Sequence, residues 1–154
     1  MFAGAGLAVV PAPVADGVLR WTVHVIENVP PQAHPSLADA EHDLRAGVRD
    51  AAATLAEMNV ARPRNGVREE IAATLRRRPQ PTWPSGTPGR PLRVLQHADE
   101  VEAILVAATG DDPGGALTSS AALARTDALR PLATAVRAAR VAAVAETVRV
   151  LTAA

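Results

Sequence analysis

The chain has 154 residues, with sixteen basic and sixteen acidic side chains and a formal net charge of zero. Such a balance gives no global field toward nucleic acid or an anionic membrane. The absence of Cys excludes disulfides, thiolate metal sites and cysteine nucleophiles; the absence of Lys and Tyr excludes Schiff-base and phenolic chemistry.

Hydrophobic residues make up 48% of the chain but aromatics only 2%, namely Phe2, Trp21 and Trp83. The core must therefore come from Ala, Val and Leu, and alanine-rich sequences favour closely packed helices over sheet. All sixteen basic residues are Arg, which together with abundant Ala, Pro and Gly reads as the codon bias of a GC-rich genome. The length suits one domain.

The expected elements run as follows. Residues 1–15 are rich in Gly, Ala and Pro and read as an irregular arm. Residues 17–28 are ambiguous. Val18, Trp21, Val23 and Val25 nearly alternate with Arg20, Thr22 and His24, as in a strand, while Val18, Thr22, Val25 and Val29 fit a helix with Asp16 as its cap. A strand would need a partner, and only the run from Leu7 to Val10 offers one, so helix is preferred. Residues 36–59 form the clearest helix: Ser36 caps it with Asp39 three residues on, and Leu37, Leu44, Ala51 and Met58 repeat every seven residues, interleaved by Val48 and Leu55. Asn59 is its expected stop.

A shorter helix is expected over 66–78, capped by Asn65, with Glu69 and Glu70 at its positive end and Arg76, Arg77 and Arg78 at its negative end. Residues 79–91 hold five prolines and two glycines around Trp83 and read as a stiff loop. Pro91 suits the first turn of the next helix, 91–109, whose stripe is Val94, Ala98, Val101, Leu105 and Ala108, widened by Ile104. Gly110 ends it and Asp-Asp-Pro-Gly-Gly follows as a turn. Residues 119–152 read as helix with one break. A short segment capped by Ser119 or Ser120 runs to Leu129, and Pro131 kinks it or starts anew. Beyond Pro131 one stripe is Leu132, Val136, Ala139 and Ala143, and a second is Val141, Val144, Val148 and Leu151. A helix apolar on so many sides is central or covered by a second subunit.

The expected architecture is all-α: an up-and-down bundle of four to six helices over residues 16–154, preceded by an irregular arm over 1–15. No stretch approaches the ~20 apolar residues of a spanning helix. The apolar start has no basic residue before Arg20, unlike a signal peptide, so a cytoplasmic protein is expected.

Three His/carboxylate pairs have i, i+3 spacing: His24 with Glu27, Asp39 with His42, and His97 with Glu100. On facing helices such pairs can share a metal ion, and His42, Glu41, His97 and Glu100 are the candidate ligands. The bland alternative is solvated His beside solvated acid, and no cofactor is expected. Arg130, Arg137 and Arg140 fall near one line and could bind an anion or DNA, or pair with acidic helices; overall neutrality favours pairing. The Gly114-Gly115 turn reads as a plain link. No G-x-S-x-G elbow or dinucleotide glycine motif is present. Trp83 either pins its loop or anchors a partner. The reading that remains is a non-enzymatic helical protein acting through homo- or hetero-association, a homodimer whose interface uses Val141, Val144, Val148, Leu151 and Trp83. The alternatives are a bundle with a small-molecule or metal site and an Arg-helix DNA- or anion-binding module.

Overall fold

Asp16 and Gly17 turn the chain at its first structured element. Gly17 has φ +68, a left-handed value that glycine adopts without strain. Strand β1, Leu7–Ala15, and strand β2, Val18–Val25, flank this turn as an antiparallel hairpin. Leu7 faces Val25, Val9 faces Val23, Pro11 faces Trp21 and Pro13 faces Leu19; the register slips between Pro13 and Ala15, leaving a bulge. The computed structural model describes residues 6–27, 35–58, 65–79, 81–109 and 119–153. Its compact units are 1–33 and 34–154.

The hairpin corrects two expectations. The arm over 1–15 is not irregular where described, and residues 18–25 are strand rather than helix, so the helical domain does not begin at residue 16. The Leu7–Val10 run was the missing partner, extended through Pro11 and Pro13 to Ala15.

The second unit is mostly helical. Helix α1, Leu37–Glu57, starts as expected: the Ser36 hydroxyl accepts the Asp39 amide at 3.1 Å and donates to the Asp39 carboxylate at 2.7 Å. Helix α2, Val67–Arg77, has Gly66, not Asn65, at its N-cap, with no side-chain hydrogen bond there. Arg78 lies just past its end as the C-cap, its amide donating to the Leu75 carbonyl. Helix α3, Gly89–Thr109, begins inside the expected proline loop and buries Pro91 in its first turn. Helix α4, Ser119–Ala153, runs unbroken through Pro131. No break occurs there because Leu129 and Leu132 are both buried, so packing on either side holds the helical path that proline disfavours. Expectations for Asn59, Gly110, the Asp-Asp-Pro-Gly-Gly turn and Gly114-Gly115 lie outside the described residues.

Helix α4 packs on α1 and on α3, and α2 packs on α3. The core is Leu44 and Ala51 of α1, Val94, Ala98, Val101 and Leu105 of α3, and Leu129, Leu132, Val136, Ala139 and Ala143 of α4. These are the stripes the periodicity defines, with Leu37, Val48, Leu55 and Ala108 packed at their margins. Ile104, expected to widen the α3 stripe, is instead half exposed. A Cβ on Gly47 would stand 3.3 Å from the Leu132 side chain, so this glycine lets α1 approach α4 closely.

Candidate functional site

The most organised polar feature lies where α2, α3 and α4 meet. Asp99 and Glu102 are one turn apart on α3 and point to the same side. Arg140 of α4 reaches Glu102 with both guanidinium nitrogens, Nη1 to Oε1 at 2.8 Å and Nη2 to Oε2 at 2.7 Å, and also bonds Asp99. Arg78 approaches from the end of α2, its Nη1 2.6 Å from Asp99 and its Nη2 on Glu102. Two cations and two anions thus form a closed, half-buried quartet. The Arg140 hydrogen bond, despite partial burial that opposes it, holds the Glu102 carboxyl well below its ordinary 4.5, at about 2; the Arg78 hydrogen bond adds to this. The same contact with Glu102 raises Arg140.

Beside the quartet lies a cleft of about 520 Å³. Leu75, Pro81, Trp83 and Leu95 supply apolar wall, and Asp99 and Glu100 supply its acidic rim. Trp83 is 38% exposed, so it neither buries itself as a full pin nor stands wholly free. A second cleft of about 370 Å³ runs between α3 and α4 and is lined by Arg130, Arg137 and Glu102 among others.

The candidate residues read from the sequence scatter. Glu41 accepts from Arg90 at 3.0 Å and bonds Arg45; the Arg90 contact lowers its carboxyl. His42, next to it, is exposed. His97 Nδ1 stands 3.8 Å from Glu100 on the same helix. No third His, Cys, Asp or Glu joins any such pair as a metal site among the described residues. Among the described residues the His97/Glu100 pair therefore gains no His from another helix. His24 belongs to a strand, so its i, i+3 relation to Glu27 does not place the two on one helical face.

The three arginines also part company. Arg140 is consumed by the quartet, Arg130 pairs with Asp127 and Arg137 donates to the Thr134 hydroxyl at 3.0 Å. Of the three, Arg140 pairs with the acids of another helix, while Arg130 pairs within α4 and Arg137 bonds a hydroxyl of α4. Sequence reasoning missed Arg78, Asp99 and Glu102; the legible signal was the i, i+3 acid pair on a helix whose neighbours carry Arg.

The interface candidates fare differently. Val141 and Val144 are each 46% exposed and Val148 is 53% exposed, on a helix that otherwise fills the core. Leu151 is half buried, its side chain near Gly86.

Four helices with an ion quartet between them and an apolar outer stripe define a helical domain. The chain belongs to the Rv1486c-like family: the profile for the Rv1486c-like protein, C-terminal domain, matches residues 38–141. It is 40% identical over 133 residues to "Uncharacterized protein Rv1486c" of Mycobacterium tuberculosis, covering 82% of this chain and 45% of that protein. To "Uncharacterized protein ML1804" of Mycobacterium leprae it is 39% identical over 133 residues, covering 82% of this chain and 43% of the relative. To "Uncharacterized protein MAV321" of Mycobacterium avium it is 34% identical over 150 residues, covering 82% and 47%. The chain spans less than half the length of these relatives. No solved structure matches. The function of the family is unknown, and nothing in these relatives points to an enzyme. No helix among the described residues is long and apolar enough to cross a membrane.

Proposed function

We propose that this domain works by association rather than by catalysis, as a homodimer seamed along α4. The carrying observation is the exposure of Val141, Val144 and Val148 on the face of α4 turned away from α1 and α3. These residues and Leu151 follow the alternating three- and four-residue spacing of paired helices. The flanking Ala138, Ala145 and Thr152 are small and uncharged, and Arg137, one turn before Val141 on the same line, marks the end where the seam gives way to a solvated rim. A second copy is the occupant this pattern suits best, because both sides of such a seam want the same short β-branched side chains. In this reading the four helices act as an up-and-down bundle with α4 at its centre, and a chain free of Cys is at home in the reducing cytoplasm.

The test is native mass spectrometry of the purified chain across low micromolar concentrations, with Val144→Glu alongside. The expected result is a dimer at twice the bare polypeptide mass and a monomer of unchanged helicity for the variant. A wild-type monomer throughout that range overturns the proposal. A retained extra mass matching a metal or small molecule overturns the preference for association and directs attention to the cleft beside Trp83.

A further inference from the structure

The hairpin has one closed edge and one open edge, and the hydrogen-bond phase shows which is which. The Ile26 amide donates to the Gly6 carbonyl at 2.7 Å, and these residues stand opposite each other in the register that continues to Leu7 and Val25. Opposed residues in an antiparallel pair alternate between those that bond each other and those whose N–H and C=O turn outward. Counting from Gly6 and Ile26, the outward positions are 7, 9, 11 and 13 on β1 and 19, 21, 23 and 25 on β2. Pro11 and Pro13 therefore occupy outward positions, where they cost the hairpin nothing and leave the β1 edge without two of its donors. Strand β2 has no proline. Leu19, Trp21, Val23 and Val25 present a full row of outward donors and acceptors, and no further strand among the described residues takes them.

The same four residues share one face with Leu7, Val9, Pro11 and Pro13. This face is apolar throughout, and Trp21 is 60% and Val25 80% exposed. The opposite face of β2 carries Arg20, Thr22 and His24. Two strands are too few for a sheet to hold by itself; three or more with an apolar face suffice.

We infer that the outer edge of β2 pairs antiparallel with β2 of a second copy, joining two hairpins into a four-stranded sheet. The phase makes this strand its own complement. Outward residues must pair with outward residues, so positions 19, 21, 23 and 25 meet one another and the two apolar faces fall on the same side. A twofold axis at Thr22 sets Trp21 against Val23 and Leu19 against Val25. On the other face it sets Arg20 against His24 and keeps the two Arg20 side chains apart. Strand lengths match by identity, and β1 competes poorly because two of its four outward donors, at Pro11 and Pro13, are missing. The inference is independent of the α4 seam.

Absence of native Cys makes the test clean. Thr22→Cys places two thiols across a pair whose Cα atoms stand about 4.5 Å apart, within the range a disulfide spans. At low micromolar concentration in air, most of this variant is expected as a covalent dimer, and the yield is expected to exceed that of a Thr82→Cys collision control at least fivefold. Trp21→Cys and Val23→Cys report registers shifted by two residues to either side. Val23→Pro in the Thr22→Cys chain removes an outward donor while leaving the hairpin's own bonds intact, as Pro11 and Pro13 do, and is expected to abolish the crosslink. Val144→Glu in the Thr22→Cys chain is expected to leave it, because the disulfide traps an edge pairing too weak by itself to hold a dimer at this concentration. The inference is overturned if none of the three cysteine variants exceeds the control, if Val23→Pro leaves the crosslink, or if Val144→Glu removes it.

Discussion

Arg140 grips Glu102 through two parallel hydrogen bonds of 2.8 and 2.7 Å, tying α4 to α3 at the point where Arg78 also brings in the end of α2. A forked guanidinium on a carboxylate is among the stronger polar contacts a protein makes. Here it is partly buried, and no buried side-chain donor or acceptor is left unpaired among the described residues. The quartet adds a polar tie to the contact between α2 and α3, where α2 offers half-buried residues such as Val67, Ile71 and Leu75 but no fully buried one.

The first prediction is a pH dependence with a definite sign. Glu102 titrates at about 2 in the folded chain against 4.5 ordinarily. A depressed carboxyl stabilises the fold fully above its ordinary value and loses that contribution as pH falls from about 4.5 toward 2. The whole shift would correspond to about 3 kcal/mol, and solvent around a carboxylate that is one-third exposed reduces this to roughly 1–2 kcal/mol. Urea unfolding of the wild type and Glu102→Gln should differ by that amount at pH 7 and converge by pH 2. A difference independent of pH would show that Glu102 acts through packing alone.

Gly47 gives a prediction about close approach. Its missing side chain faces Leu132 at 3.3 Å and Ala135 at 3.7 Å from where a Cβ would stand. Gly47→Ala gains helix propensity of about 1 kcal/mol and loses a similar amount to crowding, so its stability should stay near wild type. Gly47→Val adds two further methyl groups at that contact and should cost about 2–3 kcal/mol. Equal urea midpoints for wild type and Gly47→Val would show that α1 and α4 are not pressed together at Leu132.

Gly17 tests the hairpin separately from the helices. With φ at +68 and nothing within 4 Å of an added Cβ, a side chain there meets strain in the backbone and no clash. Gly17→Val should weaken the hairpin by about 1–2 kcal/mol. Hydrogen exchange at the inward-facing Val10 and Thr22 amides should accelerate roughly tenfold or more, by that same energy. Exchange in α3 and α4 should not change. Unaltered protection at Thr22 would mean that the turn does not set the hairpin.

The helices were legible because their cores are periodic. Leu44, Val94, Val101, Val136 and Ala139 fall where three-and-four spacing puts them, and Ser36 caps α1 as its sequence promises. The hairpin was misread for a physical reason. β1 carries two prolines, which argue against a strand until their outward phase is known, and phase belongs to the pair and not to either strand alone. The Asp16-Gly17 pair between two alternating runs was the available signal. The quartet was half legible: Arg140 stood out, but its role depended on which acids α3 would present to it. Spacing placed His97 beside Glu100 and could not reveal that, among the described residues, no second helix brings them another ligand.

Pro131 supplies the last prediction. It sits inside α4 and is exposed, so its ring removes the hydrogen bond to the Asp127 carbonyl without adding core contacts. A helix-interior proline is about 3 kcal/mol less favourable than alanine, and its restriction of the unfolded chain returns at most about 1 kcal/mol. Pro131→Ala should therefore raise stability by about 2 kcal/mol, seen as a higher urea midpoint at unchanged slope. The opposite outcome has a specific meaning. Leu129 and Leu132 are both buried on either side of the proline. If removing it destabilises the chain, then the backbone geometry that the proline ring fixes is what lets both leucines reach the core. The sign of the change thus decides whether Pro131 is a tolerated defect in α4 or part of how α4 fits between α1 and α3.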